Sequence, residues 1–456
     1  MKSASAKSSK VSLGNACSAL ERKLGPIAYR PIVSVRGYDG HTRKHPEKQI
    51  VQLMASMTEF GFAMPLLVDE SGVLIVGHAR LEAALRLGLA EVPVIVADHW
   101  SAAQVKAYRL ADNQLSRHAS WDERLLRIEI QSIIDLDEIS IEVMGWETAE
   151  IDVLLDAPSL DDGDPDDALP AEQAVVVARP GDLWHLGKHR LLCGSSLDPA
   201  SWALLMAGST AAMALTDPPY NVAVNGHVSG SGRFAEFAMA SGEMSESEFV
   251  TFNETYLSNM TRHLKDGAIV MAFMDHGHLY ELMTAAKRVE LQHLNLCVWA
   301  KTNGGMGSLY RSQHELVLVL KHGKAPHTNA VELGKHGRYR TNVWTCAGAN
   351  AFGATRDADL ADHPTVKPIA LLTEAIRDVT RHGEIVIDAF CGSGSTILAC
   401  ERARRIGYGI EIEPGYIDVA IRRWEAMTGQ QAILGSSGQT FADLAAERTS
   451  PALTPA

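Results

Sequence analysis

Short apolar runs alternate along this chain with segments whose apolar residues recur three and four positions apart. Met213-Ala214-Leu215, Ala268 to Met274, Leu294 to Ala300, Leu316 to Leu320 and Ile385-Val386-Ile387 read as strands, and Tyr408-Gly409-Ile410-Glu411 as one more. Runs that do not alternate with polar residues suit strands buried on both faces, as parallel sheets require. Helical spacing marks Gln49 to Phe60 (Ile50, Leu53, Met54, Met57) and Glu246 to Leu264 (Phe249, Phe252, Tyr256, Leu257). It also marks Ile369 to Val379 and Tyr416 to Met427. Upstream, Pro65-Leu66-Leu67-Val68 and Val73-Leu74-Ile75-Val76 flank the turn Asp69-Glu70-Ser71-Gly72. A helix over Leu81 to Leu87 ends at Gly88, and Val92 to Val96 is a further strand. The segment from Gly181 to Gly194 reads as a hairpin. The pattern predicts an α/β protein.

Charge divides the chain. The net charge is −13, yet nine Asp and five Glu with no Lys or Arg lie between Asp135 and Glu172, so the remainder sums to about +1 (−13 minus −14). The run Asp161-Asp162-Gly163-Asp164-Pro165-Asp166-Asp167 is too charged to bury and reads as a flexible linker. The expected organisation is a disordered tail over 1–24, a small α/β domain over 25–155 and an acidic linker over 156–179. A larger domain over 180–430 and a tail over 431–456 follow, with Pro451 to Ala456 disordered. No apolar run is long enough to span a membrane, and nothing resembles a signal peptide. The six cysteines have no paired or metal-like spacing, which suits a reducing cytoplasm and predicts no metal site. Cys391 reads as a packing residue.

The chemistry concentrates in two stretches. Thr216-Asp217-Pro218-Pro219-Tyr220 follows the first strand, and two prolines without N–H donors must end it. A carboxylate, rigid carbonyls and an aromatic ring are left at a strand's carboxyl end, where ligands bind in open α/β sheets. That set suits a planar amino group on a flat heterocycle. The second stretch, Asp388-Ala389-Phe390-Cys391-Gly392-Ser393-Gly394-Ser395-Thr396, reads as strand end, glycine turn and helix start. Its glycines admit a ligand to the backbone, and Glu411, about twenty residues on, is placed to accept ribose hydroxyls.

With His363-Pro364-Thr365-Val366-Lys367-Pro368, these stretches resemble the amino-methyltransferases of DNA, in the order of their permuted β group. The resemblance covers about Pro180 to Gly429. It implies a Rossmann-like domain using S-adenosylmethionine (SAM) to methylate an exocyclic amino nitrogen of double-stranded DNA, in a restriction-modification setting or alone. Asp217, Pro218, Pro219 and Tyr220 would be catalytic. Asp388, Phe390, Gly392, Gly394, Thr396 and Glu411 would bind SAM, with Thr365 and Lys367 near its carboxylate. Aspartate before Pro-Pro-Tyr implies adenine, with N4 of cytosine as the alternative. Where the family has an acid near the SAM adenine, this chain has Ser195; either Asp198 substitutes for that acid or Ser195 makes a weaker contact. The irregular run from Asn221 to Gly242 is expected to order over the target base.

Between Lys301 and Trp344 lie seven Lys or Arg and two Glu, interleaved with Tyr310, Tyr339 and Trp344. Target recognition is expected over about 301–356, with Lys301, Arg311, Lys335, Arg338 and Arg340 as DNA contacts. The family resemblance also implies pairing into a homodimer through the catalytic domain. Residues 25–155 resemble the ParB/sulfiredoxin-like domain through Pro65 to Val68, Gly77 to Ala84, Val92-Pro93-Val94 and Tyr108 to Asn113. That resemblance makes Gly77, His78 and Arg80 candidate nucleotide-phosphate contacts, and the expected role is a DNA-docking or regulatory module. A nucleotide hydrolase or nuclease is the alternative. The expected location is the cytoplasm, in association with the nucleoid.

Overall fold

The computed structural model describes residues 24–40, 45–115, 121–136, 138–155, 165–170, 175–222, 242–301, 309–334, 338–346 and 366–449. The chain separates into two compact units, Met1–Leu155 and Asp156–Ala456.

The first unit carries a four-stranded sheet built from β1 (Ala28–Pro31), β2 (Leu66–Val68), β3 (Leu74–Val76) and β4 (Glu91–Val96), in the order β1-β4-β2-β3. Only the β2–β4 pair is parallel. Leu66, Val68, Leu74, Val92 and Val94 form the core with Leu81 and Ala84 of α2 (His78–Arg86). The preceding helix, α1 (Glu47–Phe60), sets Ile50 against Ala79 and Ala83. Helix α3 (Ala102–Leu115) adds Val105 beside Ile75. Downstream, Ile130 of α4 (Glu123–Leu136), Ile141 and Ile151 of α5 (Thr148–Leu155) pack into a separate small core.

The second unit is built on a ten-stranded sheet. Its strands are β5 (Leu183–Leu186), β6 (His189–Cys193), β7 (Ala211–Thr216), β8 (Leu264–Met274), β9 (Gln292–Ala300), β10 (His314–Lys321), β11 (Val343–Thr345), β12 (Ile385–Asp388), β13 (Ile406–Glu411) and β14 (Ile433–Leu434). Their order is β11-β9-β10-β8-β7-β12-β13-β6-β5-β14. The centre, β8-β7-β12-β13-β6, is parallel throughout, and β10 runs antiparallel to both of its neighbours. All six residues of β7 are buried, the outcome its unbroken apolar run requires. One face packs under Trp184, Trp299, Trp424 and the helices α9 (Ile369–Val379), α10 (Ser395–Arg402) and α11 (Pro414–Thr428). The other packs under α6 (Pro199–Met206), α7 (Glu246–Thr261) and α8 (Leu279–Arg288), with Trp202, Phe249 and Tyr256 fully buried.

Two expectations change. The segment after Gln430 is not a tail as far as Thr449. There β14 pairs with β5, and α12 (Phe441–Thr449) buries Phe441 and Leu444, Phe441 meeting Trp184 at 5.5 Å between ring centroids. The acidic run is also not a free spacer over its last residues. Asp166 accepts from Arg402 at 2.5 Å, and its carbonyl accepts from Arg423 at 3.0 Å. Asp167 accepts from the backbone N–H of Ile369 at 2.9 Å, at the first turn of α9. Charge that cannot be buried alone is here neutralised by arginine and a helix start. The expected tails at 1–23 and Pro451 to Ala456 lie outside the described residues.

Candidate active site

Strands β7 and β12 lie side by side and run parallel, so Asp217 and Asp388 emerge at the same end of the sheet. A bond from the Ala389 N–H to Thr216 Oγ1 (3.3 Å) ties the two strand ends together. Asp217 is half-buried and has two donors. Tyr220 Oη donates to its Oδ1 at 2.6 Å, and Lys367 Nζ donates to its Oδ2 at 2.6 Å. Glu315, at the start of β10, accepts from Lys367 at 3.1 Å and from Tyr220 at 3.3 Å. Lys301, directly after β9, donates to the other oxygen of Glu315 at 2.5 Å. Two carboxylates and two ammonium groups thus alternate around Tyr220.

The environment splits the two acids. Burial and the neighbouring Glu315 charge push Asp217 up, against the pull of Lys367. Glu315 is also buried, yet Lys367 and Lys301 together hold it down at about 2. Burial and the Asp217 charge raise the Tyr220 phenol well above its ordinary value, so it stays a neutral donor.

Beside this cluster lies the glycine turn. Asp388 accepts from Thr396 Oγ1 at 2.6 Å and from the Phe390 N–H at 3.0 Å, and burial raises its carboxyl to about 6. Glu411, at the end of β13, accepts from the Gly392 N–H and the Glu413 N–H, both at 2.8 Å. Burial raises it to about 7. Gly392 has φ +50° and nothing within 4 Å of where a Cβ would stand, an open notch over the turn. Gly394 has φ +84°, and a Cβ there would meet Ala420 at 2.6 Å. Cys391 is buried with Gly409 against it, and burial holds its thiol protonated. An open backbone cradle, a helix start and two buried carboxylates fit the nucleoside end of SAM.

Other expected residues are placed differently. Lys367 donates to Asp217 and pairs with Glu315, so the structure engages it with those two acids. Asp198 caps α6, accepting from the Ala200 N–H at 3.0 Å. Ser195 Oγ accepts from the Leu197 N–H at 3.3 Å. Arg338 and Arg340 are not surface DNA contacts. Arg338 is buried and donates to Asp378 at 2.7 Å, and Arg340 donates to the other Asp378 oxygen at 3.1 Å. Glu374 completes that cluster at 3.1 Å from Arg338. Replacing Arg338 by alanine leaves a buried acid under-compensated and should destabilise the protein by about 3–5 kcal/mol. Thermal melting would show that loss, while the salt dependence of DNA binding should stay unchanged. Lys301 serves Glu315, and Arg311 is exposed. Thr365, Lys335 and residues 223–241 of the expected base-covering loop lie outside the described residues.

Asn221 went unnoticed in the sequence. It adopts φ +56° and its amide holds Gly242 and Met244 through three bonds of 2.8–3.2 Å, clasping the two ends of that excursion. In the first unit, Gly77 has φ +109°, and a Cβ there would meet Leu66 at 2.6 Å. Arg80 Nη1 donates to the Met64 carbonyl at 2.7 Å and to the Pro65 carbonyl at 3.4 Å, bracing the entry to β2, while its Nε and Nη2 lie 3.5 Å from where a Gly77 Cβ would stand. His78 opens α2 directly after Gly77.

Residues 211–422 match the DNA methylase family, 32–113 the ParB N-terminal domain, and 124–180 the ParB-methyltransferase HTH domain. The Type II methyltransferase M2.MboI of Moraxella bovis is 24% identical over 225 residues, 47% of this chain and 81% of that protein. The ParB-like nuclease domain-containing protein YnaK of Escherichia coli is 43% identical over 70 residues, 15% of this chain and 80% of that protein. A crystal structure of an M1.HpyAVI–SAM complex aligns with TM-score 0.39 at 19% identity, covering 51% of this chain and 97% of that one. The chain thus carries a DNA methylase domain together with a ParB N-terminal domain and a ParB-methyltransferase helix-turn-helix segment. It is a SAM-dependent DNA methyltransferase of the class that modifies adenine or N4 of cytosine. Among the described residues, no helix is long and apolar enough to cross a membrane.

The helix-turn-helix was not distinguished in the sequence. Its helical face, Leu126, Ile130, Ile133 and Ile134, falls inside the small domain expected over 25–155, while the acidic residues over 156–179 read as linker.

Proposed function

We propose that the protein transfers the methyl group of SAM to the N6 amino group of adenine within a short defined sequence of double-stranded DNA. The observation that carries this reading is Asp217, held at the end of β7 by Tyr220 and Lys367 beside the glycine turn. An exocyclic amine is a poor nucleophile because its lone pair is delocalised into the ring. Asp217 and the Pro218 carbonyl accept its two hydrogens and return electron density to the nitrogen. Tyr220 stacks on the extruded base and offsets part of the few kcal/mol that extrusion costs, by about 1–3 kcal/mol. Positioning and preorganised charge do the remaining work, without a covalent enzyme intermediate. SAM supplies an activated methyl group, and Asp388, Phe390, Gly392, Gly394, Thr396 and Glu411 hold it. Aspartate before Pro-Pro-Tyr, where the resemblance would allow serine, favours adenine over cytosine.

The first unit, with its helix-turn-helix, is read as a DNA-docking module that keeps the catalytic unit near duplex. The test is single-molecule sequencing of DNA from cells making the protein, beside cells making Asp217→Ala. Modified adenine at one motif, absent with the variant, is the expected result. Modified cytosine would overturn the choice of base and keep the chemistry. No modification in either sample would overturn the reading.

A further inference from the structure

We infer that Glu315 is a positioning residue for methyl transfer, setting the charge of the catalytic cluster so that Asp217 can take the proton the amine sheds. The inference rests on the proposed role of Asp217 as acceptor for the target amine. Its geometric basis is that Glu315 touches both ammonium groups of the cluster and the neutral Tyr220 phenol. It accepts from Lys367 at 3.1 Å, from Tyr220 at 3.3 Å and from Lys301 at 2.5 Å. Lys367 and Tyr220 are the two groups that hold Asp217.

Consider the cluster without Glu315. Lys367 would then face Asp217 alone, and a buried ammonium at 2.6 Å would hold that carboxylate ionised and weakly basic. Glu315 divides the Lys367 charge between two acids. Lys301, itself over the Trp299 ring at 4.7 Å, keeps Glu315 from competing for the proton. Of two carboxylates with unlike environments, one stays ionised and the other becomes the base. The directions agree: Glu315 is held at about 2 while Asp217 is raised.

The step balances simply. The amine nitrogen forms a bond to the methyl carbon as the carbon–sulfur bond breaks, leaving neutral thioether and a cationic amine. One N–H proton of that amine passes to Asp217, and from there to solvent after product leaves. The groups facing Asp217 are Tyr220 from its own turn, Lys367 before α9, Glu315 from β10, Tyr256 from α7 and Asp388 from β12. Tyr256 lies in the apolar wall and Asp388 is committed to Thr396 and Phe390, which leaves Glu315 as the tuning acid.

The experiment uses the full chain, plasmid DNA bearing the methylation motif, and single-turnover methyl transfer across about pH 5.5 to 9. Glu315→Gln should lower the plateau rate by about tenfold or more and move the acid limb down by about half a unit or more. SAM affinity should stay within about threefold, because no SAM-binding group is touched. Glu315→Asp should return the limb toward its wild-type position. Lys301→Gln is the second variant, should Glu315→Gln fail to fold. Removing that cation leaves more negative charge near Asp217, so the acid limb should move up. A Glu315→Gln rate within threefold of wild type would overturn the inference. So would a slow enzyme with an unmoved limb and a lowered melting temperature, the behaviour of a purely structural residue. Failure of the underlying reading would look different: Asp217→Ala would then still methylate.

Discussion

Replacing Asp217 by alanine should lower the single-turnover rate of methyl transfer by about three orders of magnitude. SAM affinity should move by less than about tenfold, because the groups assigned to SAM lie on other strands. The size follows from what the substitution removes. Asp217 is the acceptor for both Tyr220 and Lys367, so alanine deletes the group aimed at the amine and also releases the two side chains that aim it. Lys367 would be left with Glu315 alone, an ammonium beside an amine that must become cationic during transfer. That repulsion acts in the transition state more than in the ground state, so the loss belongs in the rate and not in substrate affinity. Asp217→Asn should be nearly as slow. Its carboxamide keeps the shape but turns an N–H toward one donor that now needs an acceptor. Rapid-quench transfer of a labelled methyl group, with equilibrium SAM binding on the same samples, checks both halves. A rate within tenfold of wild type would remove Asp217 from the chemistry.

How far this site could be read in the sequence depended on the range of the interactions that build it. Strands β7 and β12 were legible because a strand buried on both faces favours an unbroken apolar run. The helix over Ile369–Val379 was legible because Lys367-Pro368 fixes its start and its apolar face is regular. The glycine turn was legible because φ near +84° at Gly394 is a local demand that few residues meet. Charge was not legible in the same way. Arg338 and Arg340 counted as free cations, but their partner Asp378 lies about forty residues on, in another element. Glu315 counted as one of two acids in a basic stretch, yet it joins Lys367, Tyr220 and Lys301 beside Asp217. Lys367 was drawn to the cofactor by its motif and in fact meets Asp217, 150 residues earlier. The carboxyl-terminal helix was hidden because its many small residues masked two anchors, Phe441 and Leu444. A composition sums charges and volumes, whereas a fold pairs them.

The SAM affinity of the wild-type protein should weaken as pH falls below about 7, approaching tenfold per pH unit if only ionised Glu411 accepts the ribose hydroxyls. Glu411 is raised to about 7 because it is buried, and the N–H groups of Gly392 and Glu413 offset only part of that cost. Burial therefore favours a proton on Glu411 in the free protein as pH falls toward and below about 7, and binding must expel it. The sign for stability is the opposite. An acid whose carboxyl is raised on folding stabilises the folded state below its unfolded value near 4.5, and that contribution is lost as pH rises through about 7. Asp388, raised to about 6, acts in the same direction over a lower window. The protein without SAM should thus melt at a lower temperature at about pH 8 than at about pH 5.5 on account of these two groups, and SAM should narrow the gap. Glu411→Gln separates the contributions. Its neutral amide offers one acceptor instead of two, so affinity should fall by about tenfold or more and lose its slope near pH 7. Any slope that survives near pH 6 belongs to Asp388. Titration calorimetry at four pH values on both proteins measures this directly. A flat wild-type profile between about pH 6 and 8 would show that Glu411 is already ionised in the free protein, and that its two backbone partners outweigh its burial.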